Sequence, residues 1–371
     1  MRLFDLHCDT IEELKKRGED YLNCTTQFSL RDREKFQKAV QVMAVFVPDD
    51  IRGQEAVQFV LDYHQYMDDQ VRRTGGQAEL VEKITDLDRI LDEGKWAFIR
   101  SIESGAALNG DLDNINRFAD LNFKMLGLVW NGANELGSGP NNDTGLTAFG
   151  KEAVKRMEQV GMIVDCSHLN DAGFEDLLNI AERPFVASHS NVRACCSHPR
   201  NLTDAQFKEI VRRGGLCGLN LFSRFIDDDD NGSKDYLLRH IYHMLELGGE
   251  DVIAWGGDMD GEITCDPRPV HTLRGWGRFA DYLAEHGIGE AAVQKIFFDM
   301  HTGSSKSKSN DVLKGKYNME TISLNINGVC REPAVGKNWT LAKDAEGRTQ
   351  AHGRSERPLT RSCAAAPGMT I

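Results

Sequence analysis

His7 and Asp9 stand two residues apart, directly after the short apolar run Leu3-Phe4-Asp5-Leu6. The same arrangement recurs along the chain. Glu103 ends the run WAFIRSIE, Trp130 and Asn131 follow KMLGLV, and Asp165 and His168 lie in MIVDCSH. His189 and Asn191 follow PFVAS, and Asp258 and Asp260 follow VIAWGG. Three imidazoles (His7, His168, His189) with three carboxylates (Asp9, Glu103, Asp258) make a mixed nitrogen and oxygen set, which suits zinc and similar first-row divalent ions. Glu103 carries two oxygens and could bridge two ions about 3.5–4 Å apart. Such a pair polarises a carbonyl and lowers the pKa of a bridging water, so the chemistry indicated is metal-assisted hydrolysis.

Singly, each of these signals has a plain structural reading. An HxD pair is common, ESG after a strand reads as a turn, and GGDMDG imitates a calcium loop but lacks the acid that such a loop needs at its twelfth position. Their conjunction at five strand ends carries the argument. His64, His198, His240, His243, His271 and His286 fall on helices or loops and read as structural. Cys8 and Cys166 sit between ligand-type residues and are expected to point away from them.

Eight apolar runs read as strands: 3–7, 40–47, 96–104, 124–130, 162–168, 184–190, 215–222 and 252–260. Helical stretches alternate with them. Gln54 to Val71 carries Val57, Val60, Leu61, Met67 and Val71 on one side, and Gly150 to Gly161 encloses EAVKRMEQV. Asp204 opens a helix that stops at Gly214-Gly215, and Ser233 to Leu247 and Trp276 to His286 complete the set. Near-continuous apolar strands alternating with helices indicate a parallel sheet covered on both faces. Eight such units predict an α/β fold, a (β/α)8 TIM-type barrel, whose strand C-termini open onto one face and bring the ligand-type residues to one mouth as a binuclear metal site. No GxGxxG follows the first strand, so a dinucleotide fold is not indicated.

The barrel is expected over 1–303. Residues 304–371 are rich in Gly, Ser, Lys and Arg, show no sustained period beyond TISLNI (321–326), and read as a poorly ordered basic tail. A net charge of −13 argues against a nucleic-acid partner. Nine irregularly spaced cysteines without a CxxC read as reduced thiols and a cytoplasmic location. No stretch approaches the roughly 20 apolar residues of a membrane span, and the first strand begins too early to leave room for a targeting segment.

The segments HCDT (7–10), ES (103–104), LVWNGANELG (128–137), GLTAFG (145–150), VDCSH (164–168), PFVASHSN (184–191), HPRNLTD (198–204), GGLCGLN (214–220) and GGDMDG (256–261) resemble the membrane dipeptidase family, also called renal dipeptidases, in order and spacing over residues 2–300. The resemblance implies a soluble, bacterial-type member, a barrel hydrolase that cleaves dipeptides with two zinc ions, or other divalent metals. It assigns His7 and Asp9 to one ion, His168 and His189 to the other, and Glu103 to both. Arg200 would grip the substrate carboxylate, for which a guanidinium fork is suited. Asp258 would lie by the bridging water and the substrate amine, as a catalytic acid and base beside Glu103. The resemblance also suggests a homodimer. Two departures stand out. Trp130 occupies the place of a histidine that helps to hold the scissile carbonyl in the mammalian enzymes, which leaves oxyanion stabilisation to zinc or to Asn131. After IFFD (296–299) the sequence no longer resembles the family. A hydrolase of another small amide (a lactam, an N-acyl amino acid or a cyclic amide) and a catalytically silent scaffold are the competing readings.

Overall fold

Strand β1 (Arg2–Asp5) opens a parallel ring that continues through β2 (Lys38–Phe46). A short strand, β3 (Ala78–Leu80), comes next in the chain, then β4 (Trp96–Glu103), β5 (Phe123–Gly127), β6 (Ile163–Asp165), β7 (Val186–Ala187), β8 (Leu216–Leu219) and β9 (Ile253–Trp255). β2 pairs with β4 over eight residues, from Ala39 opposite Trp96 to Phe46 opposite Glu103. β9 closes the ring by pairing Trp255 with Asp5 of β1. The result is the eight-stranded (β/α)8 barrel. The computed structural model describes residues 1–261, 268–299, 339–343 and 349–353.

β3 is a ninth strand of the sheet that the sequence did not betray, because Ala-Glu-Leu is too short to show a period. It shares one edge of β4 with β5. Ala78 to Leu80 pair with Trp96 to Phe98, and β5 takes over from Arg100, with a register shift there. The other eight runs form the barrel strands, but several stop short of the expected range. MIVDCSH contributes only Ile163–Asp165 and PFVASHS only Val186–Ala187. The reason is local: the amides of Ser167 and Ser188 both donate to Asp165 Oδ1, at 2.9 Å each. Those of His7 and Gly257 donate to Asp5 Oδ1, at 3.2 and 2.8 Å. A carboxylate takes over from the strand ladder, and the chain turns into the mouth.

Alternate strand residues divide between two apolar clusters, as the two-residue period of a strand requires. Phe4, Val40, Val42, Ala97, Ile99 and Met125 belong to the one inside the ring. Leu3, Ala39, Met43, Trp96 and Phe98 face the helices, and so does Phe123, which lies two residues from Met125 but across the register shift in β5. The helices end as the sequence suggests. The one at Asp204–Arg213 begins with Thr203 and Gln206 capping each other and stops at Gly214 in the left-handed region, φ 69°. The helix expected from Gln54 runs Gly53–Arg73, and the one expected from Trp276 runs Gly275–Glu285.

The chain divides into two units, Met1–Cys330 and Arg331–Ile371. The expected 303/304 boundary, the TISLNI run and most of the expected tail lie outside the described residues. Within the second unit, Trp339–Lys343 and Thr349–Gly353 form an antiparallel pair that the sequence reading did not mark.

Backbones approach very closely where β7, β8 and β9 leave the ring. A Cβ at Gly256 would stand 1.9 Å from the Ser188 carbonyl oxygen, and one at Gly218 would stand 2.0 Å from it. Neither backbone neighbour can rotate away, so Gly256→Ala should cost about 3 kcal/mol or more. At Gly289 nothing lies within 4 Å of the corresponding position, and Gly289→Ala should change stability by less than about 0.5 kcal/mol. Urea midpoints of the two variants against the parent check this; equal midpoints would contradict the close packing.

Candidate metal centre

All five residues expected as metal ligands converge at the C-terminal mouth of the barrel, and all are buried. His7 and Asp9 lie just past β1, Glu103 is the last residue of β4, His168 lies three residues past β6, and His189 two past β7. His7 Nε2 is 3.2 Å from Glu103 Oε2, 3.3 Å from Asp9 Oδ2 and 3.9 Å from Asp258 Oδ1. His168 Nε2 is 2.9 Å from Glu103 Oε1 and 2.9 Å from His189 Nε2, and His189 Nε2 is 3.6 Å from Glu103 Oε1. The two oxygens of Glu103 thus face different partners, one toward His7 and one toward His168 and His189. Ligand atoms of His7, Glu103 and His189 lie within 4.8 Å of one another, as do those of His7, Asp9 and Asp258.

The far ring nitrogens of His168 and His189 are engaged. His168 Nδ1 meets Asn131 Oδ1 at 3.0 Å, and His189 Nδ1 meets Ser188 Oγ at 2.7 Å. An amide oxygen only accepts, so His168 carries its proton on Nδ1 and turns the Nε2 lone pair inward. Ser188 Oγ donates to Asp165 Oδ2 at 2.5 Å, so it accepts from His189 Nδ1 and leaves that Nε2 lone pair facing the same space. Two lone pairs 2.9 Å apart, with a carboxylate oxygen beside them, repel unless a cation lies between. His7 Nε2 and Asp9 Oδ1 are buried and make no hydrogen bond. The arrangement therefore fits divalent metal, and six donor groups exceed what one tetrahedral ion takes.

Electrostatics divide the histidines. Burial, reinforced by Arg200, pulls the His168 pKa down, and burial with His7 and Arg200 pulls that of His189 well below the ordinary value. Both are held neutral, which is the form in which an imidazole can take a metal ion. On His7 burial opposes the charge, but Asp9 and Glu103 outweigh it and raise the pKa well above the usual value. Glu103 also resists burial: His7 and His168 bring its pKa well below the ordinary carboxylate range. Burial lifts Asp9 to about 7.

Of the residues expected to meet substrate, Arg200 is buried beneath the mouth. Nη1 donates to Ser190 Oγ and Nη2 to the His189 carbonyl, both at 2.9 Å, while Nε has no hydrogen-bond partner. Its loop is fastened by Asn201, whose Nδ2 donates to the carbonyls of Cys196 and Phe225 at 3.0 and 2.9 Å. Asp258 is half-buried, with Asn220 Nδ2 on its Oδ2 at 2.9 Å and Oδ1 turned toward His7. Trp130 packs edge-on against Phe46, ring centroids 4.8 Å apart, and lies 6.3 Å from the His168 ring. Asn131 already holds His168 through its amide oxygen, so only its Nδ2 remains for a carbonyl.

Three other acids and amides at strand ends stand apart from the cluster. Asp165 takes the amides of Ser167 and Ser188. Asn191 is spent on Asn220 and Phe225. Asp260 accepts from Thr10 Oγ1 and from the Gln27 and Phe28 amides. Cys8 pairs with Thr10 Oγ1, and His240 bonds Val192 N and the Ile226 carbonyl as a structural imidazole. Asp5, Ser188 and Asn220 were missed as supports of the site. Each is an ordinary polar residue next to a ligand or on another strand, and only an aspartate ending an otherwise apolar strand hinted at the first.

A family model described as membrane dipeptidase (peptidase family M19) matches residues 1–299. An uncharacterized protein encoded in the 5′ region of pqqA in Klebsiella pneumoniae is 32% identical over 240 residues, 62% of this chain and 88% of its own length. Two solved structures superpose well at 26% identity. One is a metallopeptidase from Rhodobacter sphaeroides, liganded with a phosphinate mimic of the dipeptide L-Ala-D-Ala (TM-score 0.75, 82% of this chain and 98% of that one). The other is dipeptidase AC, a metallopeptidase of family M19 (TM-score 0.76, 82% and 97%).

A set of mutually repelling buried acceptors predicts linkage between divalent metal and stability. With Zn2+ at 1,000 times its dissociation constant, the folded state should gain about 4 kcal/mol over chelator-treated protein. Thermal melts with EDTA and with stepwise Zn2+ measure this; an unchanged melting temperature would mean that the cluster does not bind the ion.

Proposed function

The chain belongs to the membrane dipeptidase family, a metal-dependent hydrolase of the metallodipeptidase kind, and from that premise we propose that it hydrolyses dipeptides with two zinc ions at the barrel mouth. His7 and Asp9 would hold one ion, His168 and His189 the other, and Glu103 both. The observation that carries this reading is the division of the two Glu103 oxygens between His7 on one side and His168 with His189 on the other. When bound, such ions would supply a Lewis acid for the scissile carbonyl and would lower the pKa of a water that serves as nucleophile.

The remaining work falls to side chains. A guanidinium has five N–H donors, and Arg200 spends two on Ser190 and His189, so the others, Nε among them, are left for the substrate's terminal carboxylate. Asp258, its Oδ2 pinned by Asn220, has Oδ1 free to hold the substrate amine and to move a proton from the attacking water to the leaving nitrogen. Asn131 Nδ2 and the Trp130 indole line the place where the family's histidine would hold the carbonyl oxygen. Reading one charge at each end of a small molecule excludes longer peptides. The phosphinate dipeptide mimic bound by the Rhodobacter sphaeroides protein supports the same substrate class for this chain.

A panel of L,L and L,D dipeptides with their C-terminal amides tests this. Arg200→Lys keeps the charge but loses the fork. A charge-assisted hydrogen bond is worth about 1.5–3 kcal/mol, so kcat/KM for a dipeptide should fall about 10–150-fold, mainly through KM. Dipeptide amides should be poor substrates for the parent and should lose little more in the variant. If the parent cuts a dipeptide and its amide equally well, the two-ended reading fails and a hydrolase of another small amide takes its place.

A further inference from the structure

Ser188 is fully buried and closely surrounded by backbone. The backbones of Gly218 and Gly256 press against its carbonyl, so the residue has no slack along the chain. Its hydroxyl lies between Asp165 Oδ2 at 2.5 Å and His189 Nδ1 at 2.7 Å, with Ser167 Oγ farther off at 3.3 Å. Asp165 is fixed in turn. Its Oδ1 accepts the Ser167 and Ser188 amides, so only Oδ2 is left for the hydroxyl. The proton order along this line is determined: an ionised carboxylate can only accept, so the Ser188 proton goes to Asp165, and the serine oxygen must accept from His189 Nδ1.

We infer that Asp165 and Ser188 are positioning residues that fix the tautomer of His189, keeping its proton on Nδ1 and its Nε2 lone pair turned toward Glu103 and His168. This rests on the proposed metal-ligand role of His189 and adds to it the device that keeps the imidazole ready to ligate. Neither residue offers a ligand atom to the cluster: Ser188 reaches it only through His189 Nδ1, and Asp165 only through Ser188. Partners of this kind, standing behind a metal ligand, typically change metal affinity by 10–100-fold when removed.

Asp165→Asn is the informative change because the amide cannot choose its orientation. Two backbone N–H donors demand an oxygen at the Oδ1 position, so the new NH2 must face Ser188 Oγ and donate to it. The serine proton, displaced, turns to His189 Nδ1, the nearer of its two remaining acceptors. That moves the imidazole proton to Nε2, where it blocks ligation. Ser188→Ala only removes the constraint and lets either tautomer form. An isosteric substitution should therefore do more harm than a deletion, and deleting the hydroxyl should cure the isosteric substitution.

The experiment titrates metal-free, full-length protein with Zn2+ against a chromogenic chelator and resolves the two binding steps. Parent and His189→Ala come first: if His189→Ala loses neither step, the ligand role of His189 fails, and with it the proposed metal assignment. Given loss of one step there, Ser188→Ala should weaken that step about 10-fold and Asp165→Asn about 100-fold, with the other step changed less than about 3-fold. The double variant should return to the Ser188→Ala value. Additive losses in the double variant, or parent-like affinity in Asp165→Asn, would overturn the inference. Should Asp165→Asn fail to fold by circular dichroism, Ser188→Ala decides alone: a parent-like step refutes the relay, and a weakened step at unchanged melting temperature supports it.

Discussion

Lone pairs from Glu103, His168 and His189 point at one another across less than 4 Å, with His7 drawn toward the other Glu103 oxygen, in a place almost closed to water. Burying charge without a counter-charge is among the largest penalties a fold can carry. Nothing local would gather these groups, so the barrel has to. Its long β2–β4 pairing sets Glu103 at the rim, and the ring closure through Asp5 and Trp255 brings β9 beside β1. The cluster is therefore a demand placed on the whole closed sheet, and each side chain in it is only as well placed as the strand behind it.

That demand is visible in the backbone. Ser104 beside Glu103 (φ 90°), His168 (φ 68°) and Asp258 (φ 51°) all adopt the left-handed region without being glycine. Residues in such conformations cost of order 1–3 kcal/mol each and persist where surroundings over-determine them. The surroundings here are two buried carboxylates used as clamps. Asp5 joins the amides of His7 and Gly257, and so ties the β1 end to the β9 end. Asp165 joins those of Ser167 and Ser188, and so ties β6 to β7. Each clamp spans two neighbouring strands just below a pair of site residues. Asp5 is fully buried, and that burial raises its pKa to about 6 even with both amides in place.

Legibility in the sequence follows the range of the interaction. His7 with Asp9, Glu103, His168 and His189 could be found because each ends an apolar run, and a barrel brings strand ends together whatever lies between. The eight barrel strands were readable from hydrophobic runs alone, but not their ends, because a side-chain carboxylate rather than a turn residue stops β6 and β7. β3 was invisible at three residues. The roles of Asn131 and Ser188 could not be read. Asn131 lies 37 positions from the histidine that it orients, and a serine next to a histidine does not reveal which way its proton points. Arg200 came into view only through family resemblance, since its burial depends on Ser190, on the His189 carbonyl and on the fastened loop around Asn201.

On the proposed reading, the depth of Arg200 and the density of acids belong to one charge balance. Burial lowers the Arg200 pKa, while Glu103, Asp165 and Asp258 act to keep its proton on. Two divalent ions and Arg200 would bring more positive charge than Asp9, Glu103 and Asp258 offset. An anionic nucleophile would offset part of the excess, and an incoming carboxylate would face Arg200 while the amine at the other end meets Asp258, so that each unpaired charge finds its opposite. The site would be electrostatically complete only when a molecule carrying both charges is present. Specificity for a dipeptide then needs no elaborate side-chain pocket: it follows from where the fold leaves one guanidinium and one carboxylate unsatisfied. The aromatic pair of Trp130 and Phe46 beside His168 is left to discriminate among dipeptides by apolar contact, and contact of that kind distinguishes substrates by only about 1–3 kcal/mol per methylene. Broad tolerance of side chains, with strict reading of the two ends, is the selectivity that such a division of labour produces.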